Sequence, residues 1–136
     1  MKYIASAFLL LISINSFSYE GSPKIQVESF FSEMSRSTGS AIDNLYASNP
    51  AMKQKQQALT LMKSQLNSLP TFFGKYIGHE VLLKEQLSPS LFRISAVAKY
   101  EMHPVIWEFY FYKPKSKWIV SNAVFGDQFQ NIGPKK

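Results

Sequence analysis

The sequence contains no cysteine, two arginines and two histidines among 136 residues. The absence of cysteine excludes disulfides, thiolate metal sites and thiol nucleophiles. His79 and His103 have no zinc-type spacing, so we predict neither a metal nor a cofactor. Arg36 and Arg93 are isolated, and the lysines are spread over separate segments. A net charge of +6 distributed in this way is typical of solubility, and we predict no nucleic-acid partner.

Two catalytic signatures are also missing from the sequence. The six glycines form no phosphate-binding loop, and no serine lies in a Gly-x-Ser-x-Gly turn. The chain therefore lacks the sequence marks of a nucleotide-binding loop and of a serine nucleophile elbow.

A long apolar run occurs at the start of the chain, at positions 4–12, after a short basic segment. It is too short for a comfortable membrane crossing. Ser16 and Ser18 provide the small residues that a signal peptidase requires before Tyr19. We therefore predict a signal peptide at 1–18, cleaved between Ser18 and Tyr19, and an exported protein, periplasmic or secreted, with no stable membrane anchor.

Removal of 18 of the 136 residues leaves 118, enough for one domain, 19–136, that buries a core without disulfides. Three helices are predicted in its first half, each after a capping signal: Ser22-Pro23, Ser40 with Asp43, and Asn49-Pro50. Apolar residues then recur at helical spacing. Gly39 is expected to end the first helix, and Pro70 to end or kink the third.

Strand-like alternation replaces helical spacing after Gly74. Gly78 indicates a bulge in the first strand. The predicted strands are 76–87, 91–100, 104–112 and 118–125, joined by turns rich in Ser, Pro and Lys. Helices followed by strands predict an α+β domain, with three N-terminal helices packed on one face of a four-stranded antiparallel sheet.

The third strand is apolar on both faces. One row consists of Val105, Trp107, Phe109 and Phe111, and the other includes Ile106, Tyr110 and Tyr112. A monomer would expose one of these rows, and exposed apolar patches of that size usually mark an interface. We therefore predict a homodimer through the sheet, with the row Val105, Trp107, Phe109 and Phe111 at the interface.

The order of elements and the closing hairpin Phe109–Val120 resemble the NTF2-like superfamily, also called cystatin-like or SnoaL-like. The segments Ala41–Tyr46, Asn49-Pro50 and Tyr112–Lys115 are similar to those of small exported bacterial members of unknown function. The resemblance covers the whole mature chain. It implies a bent sheet whose concave face and helices enclose a cone-shaped pocket, in a fold used by isomerases, dehydratases and cyclases and by noncatalytic transport, dimerisation and immunity modules.

Aromatic side chains are available to line such a pocket, although the same residues are equally able to fill a small core. The predicted pocket residues are Phe30, Phe31, Tyr46, Phe92, Tyr100 and Tyr110. The favoured function is a noncatalytic module that binds a small apolar ligand or a protein partner in or beside this pocket. An effector or inhibitor of another protein is a further alternative.

An isomerase or dehydratase is the enzymatic alternative, because proton abstraction beside a carbonyl needs a carboxylate base and a hydroxyl donor in one pocket. The candidates are Glu108 or Asp43 as base and Tyr100 or Tyr110 as donor. Glu108 lies within the most apolar strand, which places it either at an interface rim with a Lys or Tyr partner or in the pocket. His79 and Glu80 are adjacent on a strand, point to opposite faces, and are expected to be solvated.

Overall fold

The computed structural model describes residues 21–128. The predicted signal peptide and its cleavage site lie outside these residues. The α+β prediction is confirmed: the helices α1 (Pro23–Met34), α2 (Thr38–Tyr46) and α3 (Gln56–Phe73) precede the strands β1 (Tyr76–Ser88), β2 (Leu91–Tyr100), β3 (Pro104–Tyr112) and β4 (Ile119–Gly126). None of the helices within residues 21–128 is long and apolar enough to cross a bilayer.

The first two helices begin at serine caps. The Ser22 side chain accepts from the Ile25 amide, and the Ser37 side chain accepts from the Ser40 amide. Ser37, not Ser40, is therefore the cap of α2, and the predicted stop at Gly39 lies inside that helix. This corrects the capping role assigned to Asp43, because a helix that begins at Thr38 leaves Asp43 beyond its first turn.

The third helical segment is interrupted near its start. Asn49 caps a short 3-10 helix, Pro50–Gln54, and α3 follows from Gln56. Pro70 does not end α3, which continues to Phe73 and stops at Gly74, where φ is 81°. Pro70 lies in the last turn, so the hydrogen bond that it removes and the crowding of the Leu66 carbonyl disturb only the end of the helix.

The four strands form one antiparallel sheet in the order β1-β2-β3-β4. The predicted irregularity at Gly78 is confirmed by a register shift between Tyr76 and Gly78. The β1–β2 pair has two more shifts, and one in the β3–β4 pair places Tyr110 opposite Asn122 and Phe111 opposite Val120. β1 and β4 are the two edges of this sheet.

The core lies between the helices and the inner face of the sheet. Phe30 of α1 packs edge to face on Trp107 and Phe109, with ring centroids 4.9 and 5.3 Å apart. The row Val105, Trp107, Phe109 and Phe111 is at most 1% exposed and belongs to this core. These four side chains are therefore covered by the chain's own helices, which corrects their assignment to a dimer interface. The outer face of β3 carries Ile106, Glu108, Tyr110 and Tyr112 instead.

Candidate functional site: a groove between helix 3 and the last strand

Helix α3 and strand β4 border an open groove with a volume of about 730 Å³. Its helical wall is mostly apolar, and the Phe72 ring at the rim is 68% exposed. Asp127 is the one ionisable residue of the wall among the described residues. The lining residues are Met62, Gln65, Ser68, Leu69, Phe72 and Phe73 of α3, Val105 of β3, and the consecutive residues Ala123, Val124, Phe125, Gly126 and Asp127.

The position of α3 leaves this groove open. Helices α1 and α2 rest on the sheet, whereas α3 packs mainly against α2. Alternate side chains of a strand point to opposite faces of its sheet, and Ala123 and Val124 do so here. Both residues nevertheless line the groove, together with the residues that follow them. The wall that β4 provides is therefore the edge of the strand.

The first half of the β4 edge is covered by side chains from the helical half of the chain. The Gln26 amide donates to the Trp118 carbonyl at 3.0 Å, and the Asn49 amide donates to the Val120 carbonyl at 2.9 Å. The Tyr46 hydroxyl donates to the Ala123 carbonyl at 3.4 Å. In the part of the chain that the structure describes, no hydrogen bond from outside the β3–β4 ladder reaches residues 124–126. The open half of the edge coincides with the groove.

The residues predicted to line a pocket lie elsewhere. Phe30, Phe31 and Tyr46 are 1 to 4% exposed and fill the core, and Tyr100 is 6% exposed against Phe73 and Tyr76. Phe92 packs on Trp118 at the edge of the core, and Tyr110 lies on the outer face. None of these six residues lines the groove. The prediction of one pocket lined by all six is corrected, because α1 and α2 pack directly on the sheet. Phe31 borders a separate surface depression of about 330 Å³ between α1 and β1, and Tyr46 borders another of about 160 Å³ on the helical side.

Two of the four candidate catalytic residues meet on the outer face. The Tyr110 hydroxyl donates to the Glu108 carboxylate, and Arg93 pairs with Glu85 beside them. The hydrogen bond to Glu108 raises the pKa of Tyr110, with burial adding to the shift. The hydrogen bond from Arg93 to Glu85 likewise raises the pKa of Arg93. A Tyr partner for Glu108 matches the structural alternative predicted from the sequence.

The other two candidates are far from that pair in the fold. Asp43 is exposed on α2 and forms an ion pair with Lys63 of α3. Tyr100 lies on the inner face, and its burial raises its pKa. Asp43 and Tyr100 therefore do not converge with each other or with the pair formed by Glu108 and Tyr110.

A histidine and a carboxylate connect α1 to the edge strand β1. His79 Nε2 lies 2.8 Å from Glu28 Oε2, and the ring stacks on Phe31 with centroids 4.4 Å apart. Tyr76, beside them, has its pKa raised to about 12 by burial first and then by Tyr100 and Glu28. The stacked position of His79 corrects the expectation of a solvated side chain.

The second histidine lies near the groove. His103 stacks on Phe73 with centroids 4.8 Å apart, and its Nε2 is 2.8 Å from the Asp127 carbonyl oxygen. This contact holds the turn before β3 against the end of β4. His103 is thus a structural neighbour of the groove wall.

No known family model, curated protein or solved structure matches this chain. The groove must therefore be interpreted from its own geometry. It was not predicted from the sequence, because Pro70 was expected to end or kink the third helix, whose apolar stripe includes Met62, Leu66 and Leu69. The sequence did indicate a longer apolar face on this helix, because Phe72 and Phe73 lie three and four residues after Leu69 and continue its stripe.

Proposed function

We propose that this protein is an exported, noncatalytic binding module of NTF2-like architecture that holds an apolar ligand in the groove between α3 and β4. The observation that carries the proposal is the groove of about 730 Å³, with an apolar helical wall and few polar groups. Ligand sites in proteins usually have this volume and this composition.

The exposed aromatic ring at the rim provides a measurable driving force. Phe72 is 68% exposed, and an aromatic side chain buries about 150–250 Å² when fully covered. Covering the exposed part removes roughly 100–150 Å² from water, which at about 25 cal/mol per Å² contributes about 3 kcal/mol to binding. This contact offsets part of the roughly 4–15 kcal/mol that association costs, and the other apolar residues of the groove must supply the rest.

A pair of neighbouring substitutions on α3 tests this proposal. Ser68 lines the groove, whereas the adjacent Asn67 is exposed and does not line it. Titration with the neutral dye Nile red should give a blue-shifted fluorescence increase in the natural chain and in Asn67→Trp. Ser68→Trp should weaken it, because the indole occupies part of the groove beside Phe72. Equal dye binding by the two variants, or no binding by the natural chain, would refute the proposal.

The enzymatic alternative has less support than the binding function. Glu108 and Tyr110 form a hydrogen-bonded pair, but Tyr110 lies on the outer face and does not line the groove. A reacting carbonyl requires the base and the donor to face the same bound substrate. Glu108 lines a neighbouring depression of about 330 Å³ that shares residues 124–127 with the groove, but Tyr110 lines neither of the two, which favours a noncatalytic module.

We also infer that the outer face of the sheet is covered by a second copy of the chain. The apolar side chains of this face include Leu83, Leu91, Tyr112 and Val124, each 41 to 44% exposed. The pairs Arg93–Glu85 and Tyr110–Glu108 lie among them. Exposed apolar side chains gathered on one face of a sheet usually mark an interface.

Sedimentation at micromolar concentration tests the dimer. The natural chain should sediment as a dimer, and Leu83→Lys should be a monomer because it introduces a charge into the interface. Leu61→Lys is the matched control, since Leu61 is 59% exposed on α3, away from the outer face. A monomeric natural chain would exclude the dimer.

A further inference from the structure

We propose that the ligand of the groove is an extended peptide segment that adds a fifth strand to the open half of the β4 edge. This inference rests on the proposed binding function and specifies its ligand. The observation behind it is that the groove is walled by the edge of a strand rather than by the face of a sheet.

Backbone groups of β4 are available at that edge. The Ala123 carbonyl accepts from Tyr46 of the helical layer and so points away from β3. In an antiparallel pair every second residue directs its N–H and C=O to the same side. Phe125, two residues later and paired with Trp107, therefore directs both groups into the groove. A peptide backbone can satisfy both groups at once, whereas a small apolar ligand satisfies neither.

The side chains of an added strand would meet two different surroundings. A fifth strand would lie about 4.8 Å from β4, with alternate side chains on opposite faces. The row pointing inward would contact Leu69 and Phe73 of α3, both of which line the groove. The other row would lie beside the exposed Val124 on the outer face. The segment should therefore carry apolar residues at every second position.

Charge and length further restrict the ligand. Asp127 is the one ionisable residue of the groove wall among residues 21–128, so a lysine or arginine is favoured at that end of the peptide and an acidic residue is disfavoured. Gln26, Asn49 and Tyr46 occupy the other half of the edge. Only a short stretch of peptide can pair with β4 before these side chains block it.

Peptide selection followed by backbone methylation tests the proposal. Random seven-residue peptides would be selected for binding to the immobilised natural chain. Peptides that also bind the Ser68→Trp variant would be removed. The selected peptides should alternate apolar and polar residues. Affinities would be measured by fluorescence polarisation for a series methylated at one backbone amide each. Methylation should weaken binding about tenfold or more at the one amide that donates to the Phe125 carbonyl, because the lost bond leaves that carbonyl unpaired, and by less than about threefold at the other amides.

The result that would overturn the inference is distinct from the one that would overturn the proposed function. If no selected peptide distinguishes the natural chain from Ser68→Trp, or if methylation has the same effect at every amide, the added strand is excluded. Nile red binding in the same groove would then still support an apolar ligand. Loss of both signals would remove the binding function itself.

Discussion

Replacement of Gln26 by glutamate should destabilise the protein in a manner that depends on pH. Gln26 is 2% exposed, and its side-chain nitrogen donates to the Gly21 carbonyl at 2.8 Å and to the Trp118 carbonyl at 3.0 Å. A protonated carboxyl can supply one of these two hydrogen bonds. An ionised carboxylate supplies none and faces two carbonyl oxygens in a buried site. The charged form is therefore disfavoured, and the pKa of the introduced carboxyl should rise in the folded state.

The sign and size of the effect follow from this shift. The unfolded carboxyl has a pKa of about 4.3, and the folded one has a higher pKa. Below pH 4 both states are protonated, so ionisation has no effect on stability. As the pH rises through the folded pKa, the free energy of unfolding falls. Buried carboxyls shift by up to about 3–5 units. A shift of about 3 units, at about 1.4 kcal/mol per unit, costs about 4 kcal/mol at pH 8. That is a large part of the roughly 5–15 kcal/mol that stabilises a small domain.

Urea unfolding monitored by tryptophan fluorescence measures this effect at pH 4 and pH 8. Gln26→Met is the control, since it loses both hydrogen bonds but cannot ionise. It should cost about 2 kcal/mol at both pH values, because two acceptors lose their donor. Equal destabilisation by Gln26→Glu at pH 4 and pH 8 would show that water reaches the two carbonyls and would refute the reasoning.

Three further predictions concern other parts of the fold. Because burial raises the pKa of Tyr76 to about 12, its contribution to stability should be complete below pH 10 and be lost between pH 10 and 12; ultraviolet titration giving an ordinary value near 10 would contradict this. Gly74→Ala should cost about 1–2 kcal/mol, since φ is 81° and a Cβ would lie 2.9 Å from Glu101 Cβ; an unchanged urea midpoint would be inconsistent with that strain. Asp43→Asn should cost less than about 1 kcal/mol, because the ion pair with Lys63 is partly exposed, and a loss above about 2 kcal/mol would show a larger role.

Local signals predicted the elements of the fold well. Ser22-Pro23 begins α1, the four alternating segments became the four strands, and Gly78 lies at a register shift. These features depend on residues close together in the chain. Ser37 was missed as the cap of α2 because Ser40 with Asp43 offers a similar pattern three residues later, and only packing of the helix decides between them.

The faces of the sheet were assigned incorrectly even though the strands were predicted. Alternation separates two rows of β3 but does not state which row the helices cover. The composition of the two rows indicated which one is buried. The row with Ile106 contains the charged Glu108, whereas the row with Trp107 has no charged residue. A row without a charge is the better candidate for the core.

The groove was beyond the reach of sequence patterns for a different reason. It depends on the distance between α3 and the edge of β4, which are more than forty residues apart in the chain. No periodicity encodes that distance. The local hint was the continuation of the apolar stripe past Pro70 to Phe72 and Phe73, which shows that the helix has an apolar end but not what faces it.

The strand order has a consequence for how fast the protein folds. Every strand of the sheet pairs with its neighbour in sequence, through connections of a few residues. Closing such short loops costs little chain entropy, and proteins rich in contacts between nearby residues fold faster than those that join distant strands. The sheet can therefore assemble progressively from the β1–β2 hairpin. Docking of α1 on β3, which joins the two ends of the domain, should be the slower step because it closes the longer loop.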